Sequence, residues 1–222
     1  YGTLRAMRLL QIHPRGVDGV VLDSLLAPGI NFMSDYDAQW DPVARDLAAL
    51  CDVDPVCGEK LGHAAWATLS GVMTRLDDAE FCPAFSGRAT LRLRSMLLLG
   101  HPVFRAHLFA LAYRLSRCGP ADVAVVEHYL GALLSVLPLP PGELRVSPVL
   151  SNHVALSELW REPAPTSQEL AERCANQIFC PGASVSIGAL YDIWPRYARD
   201  EYVGQWPNTR TPILAMNGTL DP

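Results

Sequence analysis

The sequence predicts an α/β fold in which a large helical block is inserted between two sheet strands. Three observations carry this expectation. A short Val-rich run, bounded by Gly19 and Asp23, follows an amphipathic helix near residue 1. A second apolar run, Pro212–Met216, is closed by Asn-Gly and Asp-Pro turn chemistry. Between them, segment after segment carries apolar residues at helical spacing.

The first element is "TLRAMRLLQIH", which places Leu4, Met7, Leu10 and Gln11 on one helical face, and Pro14 and Gly16 stop it. The next, Val20–Leu22, is short, β-branched and flanked by turn residues, the pattern of a strand buried on both faces. Helix followed by buried strand is the second half of a βαβ unit. Residues 30–205 then read as helices: "DPVARDLAALC", "AAWATLSGVMTRL", "RATLRLRSMLLLG", "PVFRAHLFALAYRLSRC" and "PADVAVVEHYLGALLSVL". The Pro-rich stretches "LPLPPGE" and "REPAPTS" separate some of them. "TSQELAERC" opens with Thr and Ser shortly before Glu169, an N-cap signature. The expected organisation is residues 1–29 and 206–222 as one core, with 30–205 as a helical cap.

Composition narrows the class. The chain has 222 residues, half of them apolar and 18% charged, with a net charge of −5 and a pI near 5.6. Such a chain folds into a packed globule and lacks the clustered Lys and Arg that nucleic-acid phosphates require. The apolar stretch "HYLGALLSVLPLPPG" is broken by Gly and Pro, so no membrane span is expected. Six cysteines include two short steps, "CDVDPVC" and "CANQIFC". These spacings read as a disulfide framework, with Cys51–Cys57 and Cys174–Cys180 expected and Cys82–Cys118 left as the third pair, and disulfides point to an oxidising compartment, secreted or periplasmic. Zinc would need closer Cys steps and His partners, which this sequence does not offer.

The two ends carry a resemblance. "YGTLRAMRLLQIHPRGVDGVVLDSLLAPG" resembles the stretch after the nucleophile in α/β-hydrolases, most closely the tripeptidyl aminopeptidase-like and proline iminopeptidase-like serine peptidases. "TPILAMNGTLDP" resembles their later strand, whose following loop carries the triad acid. The resemblance implies an α/β-hydrolase fragment with its helical cap, beginning just after a nucleophilic Ser and preceding the triad His. Alone it would then be inactive. It implies no cofactor, and a peptide or small acyl substrate.

Site residues follow from the same likeness. Tyr1 would supply a backbone N–H to the oxyanion hole, its N–H and not its ring being the relevant group. Asp221 would orient and charge-stabilise the triad His, with Asp23, at the end of the other strand, as runner-up. "SNHVALSELW" resembles the cap segment whose acid receives a substrate's α-amino group, which makes Glu158 the candidate; the competing reading pairs Glu158 with Arg161 on a solvated helix. In "YDIWPRYARDEYVGQW", Trp194, Tyr197 and Trp206 are placed at a cleft mouth or as docking residues. His13, His63, His101, His107, His128 and His153 read as ordinary surface or core imidazoles. The implied activity is a serine exopeptidase acting at peptide N-termini. An esterase or other amide hydrolase, and a non-catalytic binding relative, remain open beside it.

Overall fold

The computed structural model describes residues 1–136 and 147–220. The break "LPLPPGE" and the terminal Asp221 and Pro222 lie outside the described residues. In chain order the elements are α1 (Gly2–Ile12), β1 (Val20–Asp23), α2 (Phe32–Asp35), a 3₁₀ turn (Tyr36–Ala38), α3 (Trp40–Val53), α4 (Pro55–Leu61), α5 (Ala65–Arg75), α6 (Arg88–Gly100), α7 (His107–Arg117), α8 (Pro120–Val136), α9 (Pro148–Glu158), α10 (Ser167–Ala175), α11 (Ala183–Gly188) and β2 (Ile213–Met216).

This arrangement corrects the expected fold class. The described residues form a mostly helical structure with two short parallel strands, not the sheet-based fold of an α/β-hydrolase. A parallel sheet of that kind needs several strands covered by helices on both faces. Here β1 and β2 pair only with each other, in the register Val20↔Ile213 to Asp23↔Met216. The strands sit where the apolar runs predict them, but not in the predicted environment. Val21 is 64% exposed and Leu214 57% exposed, and only Leu22 is buried. A strand's burial is set by its neighbours, and these strands have one each.

Two compact units divide the chain, the first gathering the described residues within 1–37, 146–174 and 182–221, the second those within 38–145 and 175–181. In the first unit α1 packs against β1, with Met7, Leu10 and Leu22 buried, as the helical spacing requires. Its main core surrounds the fully buried Trp160, together with Leu156 and Leu170, and Val185, Ile187 and Tyr191 pack against it. Gly188 makes this approach possible: a Cβ there would stand 2.4 Å from Leu170 Cδ1 and 3.2 Å from the Trp160 ring. The buried Asp37 carboxylate accepts the backbone N–H groups of Ala183, Ser184 and Val185, the donors left over at the start of α11. At α10, Thr166 and Glu169 exchange hydrogen bonds in a capping box, which holds the Glu169 carboxyl below its ordinary range.

The second unit is a helical assembly in which α5 packs on α7 and α3, and α8 packs on α7. Asp54 caps α4 by accepting from Val56 and Cys57 N–H, and Pro55 occupies the first helical position. Cys51 pairs with Cys57 and Cys82 with Cys118, at Cα separations of 5.2 and 5.4 Å. Cys174 and Cys180 are disulfide-bonded as well, so the framework expected from the cysteine spacing is present. No helix among the described residues is long and apolar enough to cross a membrane.

Candidate functional site

The first unit gathers the ends of several elements at one place. β1 and β2 run parallel, so the loops that follow them leave from the same edge of the sheet. Backbone Leu25 N–H donates to the Asn217 side chain at 2.8 Å, tying the loop after β1 to the loop after β2. The Thr3 hydroxyl donates to the Ser24 carbonyl and accepts from Leu26 N–H, tying the first turn of α1 to that same loop. The N-terminal end of α1 and the C-terminal ends of both strands are therefore joined. A helix N-terminus leaves backbone N–H groups and partial positive charge available to an anion, and ligands of open parallel sheets bind beyond the carboxyl ends of the strands.

Glu158 reaches this place from α9, of which it is the last residue. Its Oε1 accepts the Tyr1 hydroxyl at 2.9 Å and also the Tyr197 hydroxyl. Both phenols hold their protons to high pH. Partial burial, reinforced by the hydrogen bond to Glu158, pushes Tyr1 up to about 12 and Tyr197 upward by the same causes. Both phenols donate to Oε1, which leaves Oε2 free of them.

Around this group lies a layer of aromatic and cationic side chains. The Trp194 indole N–H donates to His153 Nδ1 at 3.3 Å, the indole nitrogen being a donor only. The His153 ring meets Tyr197 edge-on, with centroids 5.1 Å apart. Arg8 pairs with Asp200 at 2.8 Å and stands over the Tyr202 ring. A cleft of about 180 Å³ is lined by Glu158, Leu4, Arg8 and Arg199 among others. A second cavity, of about 420 Å³, is lined by Ser157, Trp194, Arg196 and Tyr197.

The sequence-derived candidates are placed as follows. Tyr1 precedes α1 and its carbonyl accepts Arg5 N–H, so its backbone begins the helix. Its ring, given no part in the sequence reading, is the group that meets Glu158. Glu158 is not paired with Arg161. That guanidinium instead takes both oxygens of Asp35, at 3.0 and 2.9 Å, because it lies past the end of α9 rather than on the same helical face. Asp23 is the last residue of β1 and is exposed. Asp221 lies outside the described residues. Trp194 and Tyr197 line the second cavity, whereas Trp206 lines neither space and is 57% exposed. Residues missed by the sequence reading are His153, read as an ordinary imidazole, and Arg8 and Ser157. Tyr1 and Glu158 are 157 positions apart, and no local pattern signals their meeting. Comparison with protein-family models, with curated proteins and with solved structures gives no match for this chain, so its site is judged on its own chemistry.

Proposed function

We propose that this chain belongs to a serine-type hydrolase that acts at the N-termini of peptides, with Glu158 as the carboxylate that receives the substrate's α-ammonium. The observation that carries the reading is the hydrogen bond from Tyr1 to Glu158 at the start of α1, the place where the sequence resemblance sets the reacting carbonyl. An ammonium removed from water needs a paired anion with free lone pairs, and a carboxylate held by two phenols offers them.

In this reading the Tyr1 backbone N–H and the positive end of α1 stabilise the oxyanion that forms when a serine attacks the scissile carbonyl. Asp221, which follows β2 in the sequence, holds the general-base histidine in the tautomer that takes the serine proton and stabilises the resulting imidazolium. The serine ester then breaks down by attack of water, returning the enzyme. The ties from Leu25 to Asn217 and from Thr3 to the loop after β1 support the reading, since they join the residues just after both strands to the start of α1. Export to a secreted or periplasmic location belongs to the same proposal and is supported by the disulfides, which persist in oxidising compartments.

The test uses the full-length protein and matched substrates with free and acetylated N-termini. Glu158→Gln should lower kcat/KM for the free amine by about 1.5–3 kcal/mol, the range of hydrogen bonds to charged groups, and leave acetylated and simple ester substrates almost unchanged. Equal loss on both kinds would assign Glu158 to the fold. Absence of any turnover, together with no labelling by a fluorophosphonate, would leave a binding module and overturn the hydrolase reading.

A further inference from the structure

The cavity beside Tyr197 is a built pocket with an unmet need. Ser157 lines it, is 2% exposed, and its hydroxyl is buried without a hydrogen-bond partner. A buried hydroxyl in that state has lost its water and gained nothing in return, a cost that an ordered water or a bound group would relieve. Part of its wall is aromatic and aliphatic, from Trp194, Tyr197 and Leu156. Its polar lining carries an excess of positive charge: Arg196 and Arg199 stand against the single carboxylate of Glu162.

The two guanidinium groups differ in their commitments. Arg199 is held in place, donating to the carbonyls of Ser157 and Trp160 and lying 3.4 Å from Glu162. Arg196 is exposed, stacks on the Tyr191 ring at 3.6 Å, and has no carboxylate partner among the described residues. Stacking fixes the plane of a guanidinium while leaving its in-plane N–H groups free, the arrangement suited to a carboxylate. Ser157, whose hydroxyl has no hydrogen-bond partner, and Arg196, which has no carboxylate partner among the described residues, thus line one cavity beside two aromatic side chains.

We propose that this cavity binds a carboxylate of the ligand, with Ser157 and Arg196 as its donors and Trp194 and Tyr197 packing on the carbon chain that bears it. The neighbouring Glu158 shares Tyr197 with the cavity, so one peptide could engage both places. This deepens the N-terminal peptide reading and rests on it for the identity of the ligand as a peptide. The carboxylate can be an acidic side chain at the peptide's N-terminus or the C-terminal carboxylate of a short peptide. The two sources share the chemistry and differ in the test.

Binding is measured on the full-length protein by Trp fluorescence and calorimetry. N-acetyl-glutamate is compared with N-acetyl-glutamine, and acetylated dipeptides with free C-termini are compared with their C-terminal amides. Acetylation removes any dependence on Glu158, so failure of the amine site and failure of the carboxylate site are read separately. The acid should bind about tenfold tighter than its amide in at least one series, as a charge-assisted hydrogen bond provides, and the series that discriminates identifies the source. Arg196→Gln should abolish the discrimination. Ser157→Ala should weaken the acids severalfold, leave the amides unchanged, and leave thermal stability unchanged or higher, since no internal hydrogen bond is lost. Equal binding of acid and amide in both series would overturn the proposal. So would a Ser157→Ala variant that loses stability while binding the acids as before.

Discussion

The phenol of Tyr1 donates to the carboxylate of Glu158 at 2.9 Å, joining the first residue of the α1 cap to the last residue of α9. This contact couples a titratable group to the candidate site, and it gives a pH signature. The folded-state pKa of Tyr1 is raised from 10.0 to about 12, first by burial and then by the bond to Glu158. The sign follows directly. A raised pKa means that the contribution to stability is fully present below pH 10, the unfolded value, and is lost as pH rises through about 12. Ultraviolet titration of the phenolates should show Tyr1 ionising late, and Glu158→Gln should move that ionisation back toward 10 without removing the part due to burial. An unchanged titration in that variant would show that the hydrogen bond contributes nothing.

Asp221→Asn in the full-length protein is expected to lower kcat by about 10⁴ with KM nearly unchanged. Asn is close in shape but cannot stabilise an imidazolium, and its amide favours the wrong tautomer. Steady-state kinetics with an ester and a peptide substrate decide the matter. A loss below tenfold on both would remove Asp221 from the triad.

The disulfides should differ in weight. Cys82–Cys118 spans 36 positions and Cys51–Cys57 spans six. On the chain-entropy account the longer loop contributes roughly 4 kcal/mol and the shorter roughly 2. Paired Ser substitutions at each bridge, compared by urea denaturation, should therefore rank Cys82/Cys118 as the more damaging. A thiol assay on the denatured, unreduced protein should find no free cysteine, and six free thiols would contradict both the bridges and the expected oxidising compartment.

Gly188→Val should destabilise the first unit by about 1–3 kcal/mol, the usual cost of overpacking. The new side chain would collide with Leu170, whose tip can rotate away, and with the Trp160 ring, which is fully enclosed and has nowhere to move. Thermal melting with Trp fluorescence as the probe reports the change. A stability equal to wild type would show that the Trp160 core is looser than its burial implies.

Periodicity and punctuation were enough to locate much of the chain's local structure. Met7 and Leu10 are on the buried face that their spacing demands, the two Val- and Leu-rich runs are strands, and Thr166 with Glu169 starts α10. These signals work because helix and strand periods, caps and turn residues act within a few positions of one another. The cysteine spacing was legible for the same reason, since a short loop can close only on a near neighbour. The same strand runs, together with the resemblance at the two ends, also led to a sheet-based fold class that the helical packing overturns. Whether a strand is buried depends on how many partners surround it, and Val21 and Leu214 are exposed because each strand has one. Glu158 shows the same division. The sequence singled it out, and also offered Arg161 as its partner. Only the tertiary structure, by ending α9 at Glu158 and bringing Tyr1 and Tyr197 to it, turned Arg161 to Asp35 and left the carboxylate between two phenols. Contacts that span 39 and 157 positions are chosen by which apolar faces pack together, and no periodicity records that choice.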